Sequence, residues 1–354
     1  MQNEGTIDGF IVVDKPKGPT SHQVDYWIRE ILGVQKVGHI GTLDPGVSGV
    51  LVMAIGNAVR LIDVAHEFPK EYVAVMKLHH EFSTDKLNEV MEKFTGEIYQ
   101  IPPMRSAVAR SLRKRNVYGL DILEIHAKDV LFKVRCESGT YIRTLCTDMG
   151  YLISFGGQMA ELRRTATGPF NETMLCTLQD VSDAVKMKES GDSTLWDKIF
   201  LPMEFLFRTM PKIVVKNSAI KNLSHGSDLF PGGIRAILGS PLRGDRVALI
   251  SETNQLLGTG KMLVSYNEVL DMKVVDLDRV LIEPTGVKKD VSKGKLVGDR
   301  GREQGKPFRE PGRRVRPDFR QPKKRGYSGN NRGKGRDTRS KRTPDRVRRT
   351  SRKN

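Results

Sequence analysis

Apolar side chains in the first 200 residues fall into short runs that predict both strands and helices. Residues 10–13 and 50–55 are continuous apolar runs, as expected of buried strands. Residues 72–78 have the pattern of a mostly buried strand, and apolar residues between 122 and 134 indicate a further strand pair. A strand followed by a turn is predicted over residues 162–170.

Amphipathic helices are predicted between these strands. Apolar residues at helical spacing follow Thr20 and Ser21, either of which can cap a helix, and Gly33 ends it. The same spacing predicts a helix that begins at Thr84 and another over residues 141–153. Because strands and helices do not alternate as regular βα units, the pattern favours an α+β fold.

The character of the chain changes after about residue 208. Residues 211–284 contain short runs of Val, Ile and Leu separated by Gly and Pro clusters, such as HGSDLFPGG at residues 225–233. Short strands joined by such turns are typical of a small β-barrel. We therefore expect a second domain of this kind.

The 354 residues carry a formal net charge of +17, but this charge is concentrated at the C-terminal end. Residues 287–354 contain 26 Lys or Arg and 7 Asp or Glu, whereas residues 1–286 contain 33 and 35. This tail has few apolar residues, so we predict that it is disordered and either attracts RNA nonspecifically or serves only solubility. Residues 104–118 are a local basic cluster, which fits either a solvated loop or a segment that contacts phosphates.

Three cysteines, at positions 136, 146 and 176, form no Cys-x-x-Cys pair. Neither a disulfide framework nor a zinc site is therefore predicted. The sequence has no run of about 18 apolar residues and no apolar N-terminal signal stretch, so we expect a soluble, cytoplasmic protein with no membrane contact.

The sequence GHIGTLDPGVSGVL at residues 38–51 places one carboxylate, that of Asp44, in a glycine-flanked loop before a predicted strand. Pro45 disfavours helix at Asp44, and the missing Cβ atoms of Gly46 and Gly49 allow another backbone to approach. On these residues alone, an Asp before Pro-Gly is usually a turn residue that bonds its own backbone. The alternative is a catalytic carboxylate held at the mouth of a rigid core.

Three motifs together resemble those of the tRNA-uridine and H/ACA-guided pseudouridine synthases. They are the Asp44 loop, KPKGPTS at residues 15–21 and GTYIRTL at residues 139–145. The resemblance implies a catalytic domain over residues 8–208 with a mixed, mainly antiparallel sheet and flanking helices. It also implies a PUA RNA-binding domain, a small β-barrel, over residues 211–284, which leaves 287–354 as the tail.

The resemblance implies an isomerase that converts uridine into pseudouridine without a cofactor or a metal. Asp44 matches the essential aspartate, whose ionised carboxylate either attacks C1′ or takes a proton from C2′. Arg143 matches the arginine that keeps this carboxylate ionised, and Tyr72 matches the tyrosine that stacks on the flipped uracil. Without the resemblance, Arg143 is better explained as a surface charge and Tyr72 as a strand residue.

Further positions match residues that line the family's cleft. Tyr141 matches an aromatic residue that packs beside the arginine, and His39 matches a histidine that fills the space left by the flipped base. Leu162 matches an apolar residue against the base, and Arg163 and Arg164 match arginines directed toward phosphate. Lys15 belongs to a motif that supports the active-site loop.

Residues 106–118 and 156–164 resemble the guided branch of the family, and the short N-terminus resembles its archaeal members. This branch implies a cytoplasmic archaeal enzyme that uses H/ACA guide RNA to modify rRNA and also modifies uridine-55 of the tRNA T-arm. Its partners would be a glycine/arginine-rich accessory protein, a small zinc-ribbon-like accessory protein and a kink-turn-binding ribosomal protein. The alternatives are a stand-alone tRNA pseudouridine-55 synthase and a noncatalytic PUA-containing RNA scaffold.

Overall fold

The computed structural model of the chain describes residues 7–102, 109–268 and 272–282. The predicted disordered tail, 287–354, and the first part of the basic cluster, 104–118, lie outside these ranges. Within them, no helix is long and apolar enough to cross a membrane.

Eleven strands of the described residues form one sheet, and helices pack around it. The strands are β1 (Gly9–Lys15), β2 (Val37–Ile40), β3 (Ser48–Ile55), β4 (Lys70–Leu78), β5 (Gly96–Gln100), β6 (Arg113–His126), β7 (Asp129–Cys136), β8 (Gly157–Thr167), β9 (Phe170–Asn171), β10 (Leu175–Cys176) and β11 (Phe200–Pro202). The main order is β10-β1-β3-β8-β4-β7-β6-β5, while β11 pairs with β1, β2 with β3 and β9 with β8. Only the β1–β10 and β3–β8 pairs are parallel among these described strands, so the predicted mixed, mainly antiparallel sheet is confirmed.

The helices follow the predicted spacing closely. They are α1 (Ser21–Leu32), α2 (Ile62–His66), α3 (Thr84–Lys93), α4 (Ile142–Ser154), α5 (Leu178–Glu189), α6 (Thr194–Ile199) and α7 (Asn217–Ser224), with short 3₁₀ helices at Gly56–Leu61, Glu172–Met174, Met203–Phe207 and Pro231–Gly233. Thr20 caps α1 by accepting a hydrogen bond from the backbone of Gln23, and Gly33 ends this helix in the left-handed conformation at φ 62°. The predicted helix near Thr84 begins one residue after its cap, Ser83.

The continuous apolar runs of β1 and β3 are explained by burial on both faces of the sheet. Alternate residues of these strands pack on one side against α1, α5 and α6. The remaining residues pack on the other side against α2 and apolar residues of a second sheet. A strand that is covered on both faces has no polar side to display, so it shows no alternation in sequence.

Five strands of the described residues make up this second sheet, which corresponds to the predicted second domain. They are β12 (Lys212–Val215), β13 (Ile234–Leu238), β14 (Arg246–Ser251), β15 (Leu256–Met262) and β16 (Val275–Val280), in the order β13-β12-β14-β15-β16. Ion pairs join the two sheets at α2: Arg246 contacts Glu67 at 2.7 Å, and Arg279 contacts Asp63 at 2.6 Å. Apolar packing and charge together therefore hold the second sheet against the first.

Candidate active site

Asp44 lies in the loop between β2 and β3, and buried groups hold the backbone of this loop from below. The Lys15 ammonium group donates to the carbonyl of Val47 at 2.9 Å and to the carbonyl of Asp44 at 3.3 Å. Burial lowers the pKa of Lys15, and the nearby charge of Asp44 opposes this effect. The supporting role that the KPKGPTS motif implied for Lys15 agrees with these contacts.

The start of α1 fixes the other half of the same loop. The Ser21 hydroxyl, which is buried, accepts a hydrogen bond from the Leu43 amide at 2.9 Å and donates to the Leu43 carbonyl at 3.0 Å. The Gly18 amide donates to the carbonyl of Pro45 at 2.8 Å. The residues on both sides of Asp44 are therefore immobilised while its carboxylate projects outward.

Glycine is required at one of the two positions where a close approach was expected. Gly49 has φ +101°, and a Cβ there would lie 2.2 Å from the carbonyl oxygen of Arg164 on β8. A Cβ at Gly46 would meet nothing within 4 Å, and φ at that position is not positive. The expected close approach is therefore found at Gly49 and not at Gly46.

Arg143 reaches the carboxylate from the first turn of α4. Its Nη2 atom lies 3.4 Å from Oδ2 of Asp44, although 99 residues separate the two positions. The side chains are 59% and 69% exposed, respectively, so the pair is open to solvent. At 3.4 Å the hydrogen bond is weak, and the carboxylate can still accept a hydrogen bond from another group.

Tyr72 stands on β4 directly opposite Arg164 of β8, so the two side chains share one face of the sheet. Burial raises the pKa of the Tyr72 hydroxyl, and the neighbouring Arg164 guanidinium opposes this shift. The charge of Asp44 also raises the pKa of Tyr72 slightly, which links this tyrosine to the Asp44 cleft. Tyr72 is therefore a neutral aromatic group near the carboxylate at neutral pH.

Tyr141 and Leu162 lie on the two elements that carry Arg143 and Arg164. Tyr141 is the residue before α4, and its backbone exchanges hydrogen bonds with the Gln100 side chain at 3.0 and 3.1 Å. Leu162 is 9% exposed and packs into the main core. Tyr141 is thus two residues before Arg143, Leu162 is a core residue, and the contacts of both with a base stay predictions.

His39 and Arg163 are both held by carboxylates. His39 lies on β2, and its Nδ1 atom is 2.8 Å from Asp25 of α1. Arg163 makes a two-point contact with Asp14 at 2.9 and 3.1 Å, and its Nε atom donates to Glu172 at 2.6 Å. These contacts raise the pKa of Arg163, and a phosphate would have to compete with both carboxylates. The roles in substrate binding that the resemblance implies for His39 and Arg163 stay predictions.

Comparisons with known proteins show the family to which the chain belongs. Residues 29–142 match the N-terminal domain of the TruB family of pseudouridylate synthases, and residues 143–208 match the C-terminal domain of tRNA pseudouridylate synthase B. A probable tRNA pseudouridine synthase B of Picrophilus torridus is 60% identical over 277 residues, which cover 78% of this chain and 79% of that protein. The chain belongs to the TruB family. It is a pseudouridine synthase, and thus an isomerase, with a PUA domain matched over residues 211–281.

Other TruB-family proteins are similar over the same length. The relative from Thermoplasma volcanium, also a probable tRNA pseudouridine synthase B, is 54% identical over 301 residues, covering 85% of this chain and 84% of that protein. Among solved structures, a Cbf5-Nop10-Gar1 complex matches with a TM-score of 0.74 and 43% identity, covering 78% of this chain and 86% of the matched chain. An H/ACA RNP bound to a substrate RNA containing 2′-deoxyuridine matches with a TM-score of 0.71 and 41% identity, over 79% and 87% of the two chains.

Two buried cations lie behind the Asp44 loop of this TruB-family chain: Lys70, which no motif singled out, and Arg164, whose expected direction toward phosphate is wrong. Arg164 is 1% exposed, and it donates to the carbonyls of Val50 at 2.7 Å and Gly41 at 2.8 Å. A Cβ at Gly41 would lie 3.2 Å from the Arg164 guanidinium and 3.6 Å from the Lys70 side chain. Arg164 therefore holds the start of the loop, and Lys70 is adjacent to it.

Lys70 connects the segments that carry the catalytic candidates. It is the first residue of β4, and its ammonium group donates to the carbonyls of His66 and Phe68 at 2.6 and 2.7 Å. A third hydrogen bond, at 3.1 Å, reaches the Ser138 hydroxyl in the segment that precedes α4. Burial, reinforced by the charge of Arg164, lowers the pKa of Lys70 to about 8. The only sequence signal was its place two residues before Tyr72.

Proposed function

We propose that this pseudouridine synthase modifies uridines in rRNA selected by an H/ACA guide RNA, and that it also accepts uridine-55 of the tRNA T-arm. The observation that carries the catalytic part is the open pair of Asp44 and Arg143 at 3.4 Å beside Tyr72. The guided mode is supported by the extensive similarity to Cbf5 in solved H/ACA complexes.

The proposed reaction breaks the N1–C1′ bond of uridine and forms a C5–C1′ bond, while C5 loses a proton and N1 gains one. Asp44 begins it as an ionised carboxylate, either by attacking C1′ or by removing the proton from C2′. Arg143 pairs with this carboxylate, and its exposure lets it turn toward the nucleotide. No atom is gained or lost by the substrate, so the proposed steps use side chains alone.

Tyr72 is proposed to stack on the uracil once the base has left the RNA helix. Its neutral hydroxyl group suits it to lie near C5, where the proton leaves. Around it we assign Tyr141, His39, Leu162 and Arg163 to substrate binding. Leu162 supplies an apolar surface for the base, and Arg163 supplies positive charge for a phosphate.

The proposed partners follow from the same relatives. Besides the guide RNA, rRNA and tRNA, they are a glycine/arginine-rich accessory protein, a small zinc-ribbon-like accessory protein and a kink-turn-binding ribosomal protein. The complexes of Cbf5 with Nop10 and Gar1 support the presence of accessory proteins. We assign catalysis to residues 8–208, RNA binding by the PUA domain to 211–284 and nonspecific RNA attraction to the tail, 287–354, in the cytoplasm of an archaeal cell.

A second candidate function is that of a stand-alone tRNA synthase. It is favoured by the relatives from Picrophilus torridus and Thermoplasma volcanium, whose names specify tRNA. It differs from the first proposal in needing neither a guide RNA nor an accessory protein.

Reconstitution separates the two functions. The full chain is incubated with unmodified tRNA transcript and, separately, with an rRNA fragment, each with and without guide RNA and the three accessory proteins. Pseudouridine in the rRNA fragment only when the guide RNA and accessory proteins are present supports the guided function, and Asp44→Asn serves as the inactive control. Strong activity on tRNA alone with none on guided rRNA overturns it in favour of the stand-alone enzyme.

A further inference from the structure

A cluster of metal-ligand side chains lies where α1 packs beside β2; it shares His39 with the proposed substrate-binding residues and includes none of the catalytic candidates Asp44, Arg143 and Tyr72. His22 and Asp25 are three residues apart on α1, which places them on the same helix face. The Nδ1 atom of His22 is 3.3 Å from Oδ2 of Asp25, and the Nδ1 atom of His39 is 2.8 Å from the same oxygen. One ligand atom from each of the three side chains fits within a 4.8 Å span.

We propose that His22, Asp25 and His39 bind a divalent transition-metal ion of the Zn²⁺ type. Two imidazoles and one carboxylate are ligands that such ions accept. Metal–ligand bonds of about 2.0–2.1 Å in a tetrahedral site separate neighbouring ligand atoms by about 3.3–3.4 Å. The distances from Asp25 to the two rings, 3.3 and 2.8 Å, are near that spacing, and all three ligand atoms lie within 4.8 Å of one another, so rotation of the exposed His22 side chain can complete the set.

The charge balance of the cluster favours a cation. The Asp25 side chain is only 10% exposed, and both of its oxygens face the His39 ring, at 3.0 and 2.8 Å. In the part of the chain that the structure describes, no Lys or Arg pairs with Asp25. A divalent ion bound here would compensate the charge of this nearly buried carboxylate.

The outer hydrogen bond of His39 fits the same assignment. When Nδ1 binds a metal, the ring proton must sit on Nε2, and metal-bound histidines commonly donate that proton to an oxygen atom. The Nε2 atom of His39 lies 3.0 Å from the Thr42 hydroxyl, which can accept it. This bond orients the ring with Nδ1 toward Asp25, so the second ligand is already in place.

The exposure of the two histidines indicates the side from which the ion enters. The His39 side chain is 7% exposed, whereas that of His22 is 83% exposed. Asp25 and His39 thus form a preformed half-site, and His22 closes it from the solvent side, where water completes the coordination. The ion ties α1 to β2 and, through Thr42, stiffens the Asp44 loop. It takes no step in the isomerisation.

The test uses the full chain without an affinity tag and cobalt(II) as a visible probe. Titration is expected to saturate at one Co²⁺ per chain, with a visible absorption band that added Zn²⁺ removes. His22→Gln and Asp25→Asn should each weaken binding by about 10-fold or more, because each removes one of three protein ligands. His126→Gln is the matched control, since it removes an exposed histidine at the end of β6 and should leave binding unchanged.

A second measurement locates the ion on the ring. Two-dimensional ¹H–¹⁵N spectra of the imidazole groups should place Zn²⁺ on Nδ1 of His39 and the proton on Nε2. The proposal is overturned if the native chain shows no stoichiometric site, or if folded His22→Gln and Asp25→Asn chains bind as tightly as the native chain. If Asp25→Asn fails to fold by circular dichroism, His22→Gln decides, because the exposed His22 side chain supports no core packing.

Discussion

Behind the Asp44 loop lie three cationic side chains that are almost fully buried, whereas in front of it Arg143 and the carboxylate itself are open to solvent. Lys15, Lys70 and Arg164 are 0%, 4% and 1% exposed. In the described residues they donate to backbone carbonyls and a hydroxyl group rather than to carboxylates. In front, one 3.4 Å contact joins Arg143 to Asp44.

This difference indicates that the residues behind the loop and those in front of it have different functions. The described cations behind the loop donate to backbone carbonyls and not to carboxylates, so they fix the backbone, and the charge of Lys15 also interacts with that of Asp44. The exposed side chains of Asp44 and Arg143 in front of the loop remain free to move, because a target uridine has to enter between them. We therefore expect changes in front to lower the reaction rate with little loss of stability, and changes behind to lower stability first.

The largest effect is expected from Asp44→Asn. The substitution keeps the shape of the side chain, and the contacts of Lys15 with residue 44 involve its backbone, so the fold should be unaffected. Loss of the ionised oxygen should reduce single-turnover pseudouridine formation by about 10³-fold or more, while RNA affinity changes by no more than a few fold. Substantial residual turnover in a metal-free, purified variant would rule out the catalytic role of this carboxylate.

Arg143→Lys is the next largest change at the front. Lysine keeps the positive charge but loses the planar set of donors that can hold a carboxylate and a second group together. We expect kcat to fall about 10²-fold with KM nearly constant, and Arg143→Met to be slower still. Steady-state kinetics on one RNA substrate measure both constants. Equal rates for the lysine variant and the native chain would show that the guanidinium geometry is not used.

The functional residues in front of the loop were predicted from the sequence, whereas most of those behind it were not. Asp44 and Arg143 lie 99 residues apart, and only the motifs around them suggested that they meet, as the structure shows. Lys70 was missed, and Arg164 was wrongly directed toward phosphate, because charged residues are usually exposed. Whether a strand residue points into the core depends on register, and a shift of one residue reverses the direction of every side chain.

The fold was more predictable for a related reason. The runs at 10–13 and 50–55 identified strands, since burial on both faces leaves only apolar residues. Capping residues at Thr20 and Gly33 set the bounds of α1 to within a residue. Strand order could not be deduced, because β3 pairs with β8 across more than 100 residues, through contacts that no local pattern encodes.

The pH dependence of stability tests the burial of Lys70 behind the loop. Its pKa is about 8 in the folded chain, against an ordinary value of 10.5 when the chain is unfolded, so between these values the unfolded chain binds a proton that the folded chain does not. The free energy of unfolding should therefore rise with pH in this window, by about 3 kcal/mol relative to Lys70→Met. Urea denaturation at pH 8 and pH 10.5 measures the difference, in which other titrating groups cancel.

Lys77→Met is the control for that experiment, since Lys77 is exposed on the same strand. The difference in the free energy of unfolding between Lys77→Met and the native chain should change little over the same pH range. If the difference in the free energy of unfolding between the native and Lys70→Met chains stays constant from pH 8 to 10.5, the lowered pKa of buried Lys70 is contradicted.

The smallest effect is expected from Ser21→Ala, which removes both hydrogen bonds between the Ser21 hydroxyl and the backbone of Leu43. Two buried backbone groups lose their partner, so the free energy of unfolding should fall by about 1–2 kcal/mol. Ser83→Ala is the matched control, because it removes the cap of α3 at a similar cost, far from the loop in sequence. If the back of the loop positions Asp44, Ser21→Ala slows turnover a few fold and Ser83→Ala does not. Equal rates for the two variants would mean that the Ser21 bonds contribute stability alone.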